Sequence, residues 1–231
     1  MREALEEALR RGADMHIIWN LLRAELSAHA ATLRTFAVIT AVIVGTNLAM
    51  GGATPAIAIC VLTVGFLPGL LFAQDERAHL DTMYSILPVT RAQFVVARYL
   101  LVVLAAAVAA LVGVVVARID DAVRGPGAGV LPLSTAGVAG LAVAAVGMVA
   151  AVQLLLLFSL GHARTGVYAY GATMVLMFGG MFLIERFPDL ALTIIRWAGS
   201  PWAGAAGPGA AAAVLALSAM GAVRLYRRRS L

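Results

Sequence analysis

Long apolar runs separated by short polar segments make up most of the chain after residue 34. A helix that crosses the hydrocarbon layer of a bilayer, which is about 30 Å thick, needs about 20 residues of this kind. The runs therefore predict an all-α, polytopic membrane protein with six transmembrane helices. The six predicted spans are Thr35 to Met50, Pro55 to Ala73, Phe94 to Ala117, Ser134 to Leu160, Gly166 to Ile184 and Gly204 to Val223.

The residues before the first span follow a more polar pattern. Oppositely charged residues four positions apart favour a short cytosolic helix at the N-terminus, which we expect to stop at Gly12. From Asp14 to Ser27 the apolar residues gather on one side of a second helix. An amphipathic helix of this kind lies in the membrane interface, and Trp19 is a suitable anchor for it.

The composition supports the membrane assignment and excludes one kind of chemistry. Hydrophobic residues make up 62% of the 231 residues and charged residues only 13%, which is outside the range of soluble domains. All 17 basic residues are arginine. Because there is no lysine, the chain has no phosphate-binding loop of the G-x-x-x-x-G-K type and no lysine Schiff-base chemistry. We therefore expect that it does not hydrolyse ATP itself.

Sequence signals for a metal or a catalytic site are also missing. The single cysteine, Cys60, lies in an apolar run and excludes an intrachain disulfide. The four histidines are scattered, and no pair has the spacing of helical metal ligands. Neither an H-E-x-x-H helix nor a G-x-S-x-G turn is present. We expect no metal site, no catalytic residue and no nucleic-acid partner.

The arginines are distributed unevenly between the two sides that six spans create. If both termini are cytoplasmic, thirteen of the 17 arginines lie inside, as the positive-inside rule requires. The chain then divides into an N-terminal region 1–34, a transmembrane domain 35–223 and a basic cytosolic tail 224–231. The inner arginines are Arg2, Arg10, Arg11, Arg23, Arg34, Arg77, Arg91, Arg98, Arg164, Arg224, Arg227, Arg228 and Arg229, and the outer ones are Arg118, Arg124, Arg186 and Arg196.

The loop 74–92, between the second and third spans, has too regular a pattern for a simple linker. Apolar residues at positions i, i+3, i+4 and i+7 predict a short amphipathic helix that a proline ends. Thr90 and Gln93 then have the spacing of a capping box for the third span, and Val89 and Phe94 that of a hydrophobic staple. The apolar residues and the proline are Leu80, Met83, Tyr84, Leu87 and Pro88.

This loop resembles the cytoplasmic loop of type 2 ABC exporter permeases. The resemblance rests on the acidic pair Asp75 and Glu76, the amphipathic turn, the run from Leu87 to Arg91, and Arg98 with the two residues after it. The family often has a lysine where Arg98 stands. In that family an interfacial elbow helix precedes six spans, and the loop forms a coupling helix that docks on a separate ATP-binding subunit.

The resemblance implies a function for the chain and a role for the loop. It implies the membrane-spanning subunit of a bacterial ABC exporter in the cell membrane, paired with a second permease subunit as a homodimer or heterodimer. ATP and Mg would be bound by the partner ATPase, and the cargo would be a hydrophobic or amphipathic small molecule, peptide or lipid-linked compound. An intramembrane enzyme and an ion-gradient-driven secondary transporter are the alternatives. The implied coupling residues are Asp75, Glu76, Leu80, Met83, Tyr84, Leu87, Pro88 and Arg91.

Two polar residues in or near the spans are candidates for a translocation path or gate. Gln153 lies near a span centre, where an interhelical hydrogen bond is the favoured role and lining the path the alternative. Glu185 lies at the outer edge of the fifth span, where it either gates an exit or reaches for lipid headgroups. The stretch 188–201 is too short to span, and is either re-entrant or interfacial.

Small residues and a proline predict how the spans pack. Gly65 and Gly69 form a small-xxx-small pair in the second span, and glycines recur in the fourth span, where close helix packing is the favoured role. Pro68 should kink the second span, because it removes one helical hydrogen bond and clashes with the preceding turn. The glycines of the fourth span are Gly137, Gly140 and Gly147.

Overall fold

A computed structural model of the chain is helical throughout the part it describes, without a strand there. It describes residues 2–51, 53–77, 90–124, 134–160, 170–200 (apart from 172, 176–177, 181 and 183–184) and 202–228. The helices are α1 (Arg2–Ala28), α2 (Ala30–Gly51), α3 (Ala53–Thr63), α4 (Leu67–Arg77), α5 (Arg91–Arg124), α6 (Thr135–Leu160), α7 (Pro188–Ala198) and α8 (Ala203–Arg228), with a 3₁₀ helix at Val64–Phe66 between α3 and α4.

Five helical segments of the described part are long and apolar enough to cross a membrane. They match the first four predicted spans and the sixth, so the predicted polytopic all-α fold is confirmed at this level. Most of the predicted fifth span, Gly166 to Ile184, lies outside the described residues, and the count of six stays a prediction. The five segments are Ala30–Ala49, Ile57–Arg77, Ala92–Val123, Thr135–Leu160 and Ala203–Leu225.

The N-terminal region differs from the prediction. The expected stop at Gly12 is wrong, because α1 runs without a break from Arg2 to Ala28. A glycine inside a helix costs only about 1 kcal/mol relative to alanine, which the good helix formers and charge pairs on either side of it offset. The amphipathic segment is therefore the second half of one long helix. At the other end of the chain, α8 extends to Arg228 and includes the first residues of the predicted tail.

The second span is irregular where Pro68 predicted a distortion. Pro68 has no N–H to donate to the carbonyl of Val64, four residues earlier. The N–H of Leu67 bonds to this carbonyl instead, which closes a 3₁₀ turn at Val64–Phe66. The second span thus consists of two α-helices, α3 and α4, joined by this turn.

The core of the bundle is built around α6. Of the five candidate spans, α6 has the largest buried share and the span in α2 the smallest. One cluster of buried residues joins Leu21 of α1 to α5, α6 and α8. A second joins Leu22 of α1 to α3, α4, α5 and α6. The C-terminal half of α1 is therefore packed into the bundle through two neighbouring leucines.

The structure shows close helix packing at the glycines of the second and fourth spans, which is the role that the sequence favours for them. A Cβ on Gly147 would lie 3.0 Å from the Cα of Ala211, and a Cβ on Gly140 would overlap the backbone of α8 at Ala203. In the second span, Gly65 and Gly69 face residues 173 and 170 respectively. The missing side chains allow backbones to approach closely, which is the main route to stable helix packing in a membrane.

The predicted capping box is confirmed at the start of α5. The Gln93 backbone N–H donates to Thr90 Oγ1 at 3.3 Å, and the Thr90 N–H donates to Gln93 Oε1 at 2.9 Å. These two bonds satisfy backbone N–H groups that the first helical turn leaves without partners. Val89, the other half of the predicted staple, lies outside the described residues.

Replacing Thr90 with alanine should remove this cap. We expect the free energy of unfolding to fall by about 1 kcal/mol, and the melting temperature of the purified chain by about 2–4 °C. Thr90→Ser keeps the hydroxyl and should melt close to the wild type. Equal melting temperatures for the alanine and serine variants would show that the cap does not stabilise α5.

Candidate functional site

Four ionisable side chains meet in the interior of the protein. They are Glu25 of α1, His29 between α1 and α2, Asp75 near the end of α4, and Arg98 in the second turn of α5. Glu25, His29 and Arg98 are 0% exposed and Asp75 is 5% exposed. Charged groups are buried in this way only when they are paired, because transfer from water is costly. We call these four residues the ionic junction.

Arg98 is the cation at the centre of the ionic junction. Its Nε lies 2.8 Å from Glu25 Oε2, and its Nη2 donates to Asp75 Oδ2. The guanidinium carbon lies 5.2 Å from the centre of the Phe72 ring and 5.3 Å from that of Phe94. The two carboxylates compensate the buried charge, and the aromatic faces add a favourable cation–π contact.

His29 completes the ionic junction from the other side of the carboxylates. Its Nε2 lies 3.2 Å from Asp75 Oδ1 and 3.6 Å from Glu25 Oε2. Its Nδ1 lies 3.0 Å from Gln74 Oε1, an oxygen that also accepts from the Thr32 hydroxyl. Burial alone lowers the pKa of His29, but the hydrogen bonds to Asp75 and Gln74 outweigh it, so the pKa is raised above its ordinary value of 6.5.

The position of the ionic junction along the chain gives it mechanical significance. Helix α4 ends at Arg77 and α5 begins at Arg91, so Asp75 and Arg98 stand on the two sides of the segment between these helices. Glu25 connects both of them to α1. The ionic junction therefore links the two helices that flank this segment in the chain to α1 through buried ion pairs.

Comparison with known protein families identifies a match over most of the chain. A model of the family described as ABC-2 family transporter protein matches residues 20–226. The chain belongs to this family. No curated protein and no solved structure matches the chain significantly. The predicted resemblance to type 2 ABC permeases is thereby confirmed for most of the chain, and the protein is an ABC-2 membrane permease, a multi-pass transporter component.

Of the coupling residues that the resemblance implied for this permease, Asp75, Glu76 and Arg91 lie among the described residues. Glu76 is exposed at the end of α4, whereas the carboxylate of Asp75 points inward to Arg98 and His29. Arg91 is the first residue of α5. The role of each in contacting an ATPase stays a prediction. The remaining coupling residues, Leu80, Met83, Tyr84, Leu87 and Pro88, lie outside the described residues.

Gln153 makes the interhelical hydrogen bond that was favoured for it. Its Nε2 donates to Thr173 Oγ1 at 2.6 Å, and the Thr173 hydroxyl donates to the Gly65 carbonyl at 3.0 Å. This chain of bonds joins α6, a helical turn of the predicted fifth span and the 3₁₀ helix. Gln153 is 1% exposed. Glu185, the other candidate gate, is exposed.

Sequence reasoning missed Glu25 and His29. The sequence does contain a signal for Glu25. On a helical projection with 100° per residue, Glu25 falls between Leu21 and Leu22, in the middle of the apolar face of the amphipathic helix predicted from Asp14 to Ser27. A carboxylate on such a face needs a buried partner. His29 follows Glu25 by four residues and so lies on the same side of the chain. That the partner is Arg98 depends on the packing of α1 against α5.

Proposed function

We propose that this ABC-2 permease is the membrane-spanning subunit of a bacterial ABC exporter, which works with a second permease subunit and a separate ATP-binding subunit. Membrane subunits of this family are transporter components that generally work with an ATP-binding partner. The chain contains no lysine and so no phosphate-binding loop of the G-x-x-x-x-G-K type. In this proposal the partner binds ATP and Mg, and the permease supplies the path.

The observation that carries the proposal is the ionic junction beside the segment 78–89. Ion pairs from Arg98 to Glu25 and to Asp75 hold the end of α4, the start of α5 and the second half of α1 as one unit. A pull or push on the segment between α4 and α5 then moves these helices together. Rigid-body movement of packed helices is a common route for a switch between two transporter conformations.

The amphipathic pattern of the segment indicates what moves it. Leu80, Met83 and Tyr84 form an apolar face that must be covered either by lipid headgroups or by a protein groove. The neighbouring acids Glu76 and Asp81 disfavour an anionic membrane surface. We therefore assign this face to the groove of the ATPase.

A cavity in the bundle supports a hydrophobic cargo. It has a volume of about 580 Å³ and lies between α2, α3 and α5. Almost all of its lining atoms are apolar, and Phe36, Val44 and Leu104 are among the lining residues. Apolar pockets of this size are typical of sites for small hydrophobic molecules. Helix α2 forms one wall of the cavity and is the least buried of the five candidate spans.

A charge on the apolar face of the segment tests the proposal. Replacing Leu80 with aspartate should put a carboxylate into the ATPase groove at a cost of several kcal/mol. We expect the variant to insert into the membrane normally but to lose the co-purifying ATPase or its transport-coupled ATP hydrolysis. Tyr84→Asp should behave in the same way. The measurements are ATPase co-purification and ATP hydrolysis by reconstituted complexes.

The matched control places the same charge on the polar face. Ser85 lies on the other side of the predicted helix. The Ser85→Asp variant should therefore still co-purify with the ATPase and support its ATP hydrolysis. Wild-type ATPase association and transport in Leu80→Asp and Tyr84→Asp would overturn the coupling proposal. Solute transport by the purified permease alone on an ion gradient would favour a secondary transporter instead.

A further inference from the structure

We infer that the ionic junction is a proton-binding site, which fastens α1 to α4 and α5 when His29 carries a second ring proton and loosens when that proton leaves. This site belongs to the permease chain itself. It exists whether or not the exporter assignment is correct, and it is tested without an ATPase.

The first argument is the match of donors and acceptors around the imidazole ring. Nδ1 faces the side-chain oxygen of Gln74, which can only accept a hydrogen bond, and Nε2 faces carboxylate oxygens of Asp75 and Glu25. A neutral imidazole has one donor and one acceptor nitrogen, so one ring nitrogen would turn its lone pair toward an oxygen. An imidazolium has two donors and satisfies both sides.

The second argument is the charge inside the ionic junction. Among the described residues, the groups that face His29 are Glu25 from α1, Asp75 and the neutral Gln74 from α4, and Arg98 from α5. The two carboxylates and the guanidinium of this set carry a net charge of −1 when His29 is neutral. Because all four ionisable groups are almost fully buried, water cannot screen this charge. One proton on His29 makes the ionic junction neutral.

The direction of the pH effect follows from the raised pKa of His29. A group whose pKa is higher in the folded state contributes stability that is fully present below its unfolded pKa, and that is lost as the pH rises through its folded pKa. Acidic conditions therefore fasten the ionic junction. Alkaline conditions leave a neutral ring against two carboxylates and weaken the attachment of α1 to the bundle.

The test is performed on the purified permease chain in nanodiscs of zwitterionic phosphatidylcholine, which has no net charge. In NMR spectra of protein labelled with ¹³C at histidine Cε1, the chemical shift of this carbon reports the protonation state of each ring. The signal that disappears in His29→Gln is that of His29. We expect its titration midpoint to lie above 6.5. In Asp75→Asn, one negative charge is removed, and we expect the midpoint to shift to lower pH by about one unit or more.

The second measurement is the melting temperature between about pH 6 and about pH 9, a range that spans histidine titration. The wild type should lose stability across this range, and His29→Gln should lose that pH dependence. The control is His16→Gln, because His16 is exposed on α1, the helix that ends just before His29, and it should keep the wild-type profile. A melting profile in His29→Gln that is as steep as that of the wild type would overturn the inference.

The chain has four histidines, so glutamine variants of the other three identify the His29 signal by elimination, and the titration of the wild type decides the matter even where His29→Gln fails to fold. A His29 midpoint at or below 6.5 would mean a neutral ring whose Nδ1 accepts a bond from a reversed Gln74 amide, and the proton site would then not exist. A midpoint above 6.5, with loss of the pH dependence in His29→Gln, would establish it.

Discussion

Replacing Arg98 with methionine is expected to destabilise the permease by about 3–5 kcal/mol. The variant leaves Glu25 and Asp75 facing each other in a buried site without their shared cation. Methionine fills much of the volume and keeps the helix propensity, so the loss reports the missing charge and not a cavity. The measurement is the melting temperature and folded yield of the purified chain at neutral pH.

Two controls separate a buried charge from a general effect of losing an arginine. Arg77→Met removes an exposed arginine at the end of α4 and should change stability by less than about 1 kcal/mol. The triple variant Glu25→Gln, Asp75→Asn and Arg98→Met removes the three charges other than that of His29, and should recover most of the stability that Arg98→Met loses. If Arg98→Met and Arg77→Met had the same melting temperature, the ionic junction would contribute little to stability.

Much of the fold follows from local physical chemistry and was predictable. Apolar run length predicted the five spans that the structure describes, since each needs about 20 residues to cross a bilayer. The missing N–H of Pro68 accounts for the 3₁₀ turn before it. The spacing of Thr90 and Gln93 predicted the cap of α5. In each case the cause lies within a few residues of its effect.

One of the two errors was local, and the other depends on contacts between distant parts of the chain. The failure at Gly12 came from treating a glycine as a stop, although the residues around it favour a helix more than one glycine opposes it. The ionic junction brings together residues 25 and 29, residue 75 and residue 98, which lie in three separate parts of the chain. Sequence reasoning placed Asp75 on a docking surface because only the fold shows the side chain of Arg98 beside it.

The packing of α8 on α6 depends on the absence of a single methyl group at residue 207. A Cβ on Gly207 would overlap the carbonyl of Gly140 and lie 2.9 Å from its Cα. These are backbone atoms, which cannot rotate away as a side chain can. Gly207→Ala therefore forces the two helices apart, and we expect a loss of about 3 kcal/mol, at the upper end of the usual range for overpacking.

The neighbouring glycine on the same helix provides a matched control. Gly209 has open space where its Cβ would be, with no atom within 4 Å, so Gly209→Ala adds the same methyl group without a clash. Alanine is also the better helix former by about 1 kcal/mol. We expect Gly209→Ala to melt at or slightly above the wild-type temperature and Gly207→Ala well below it. Part of the loss in Gly207→Ala comes from Pro208, because a proline disfavours the helical conformation of a preceding residue that carries a Cβ. Equal melting temperatures would nevertheless show that the close approach at Gly140 does not hold α8 in place.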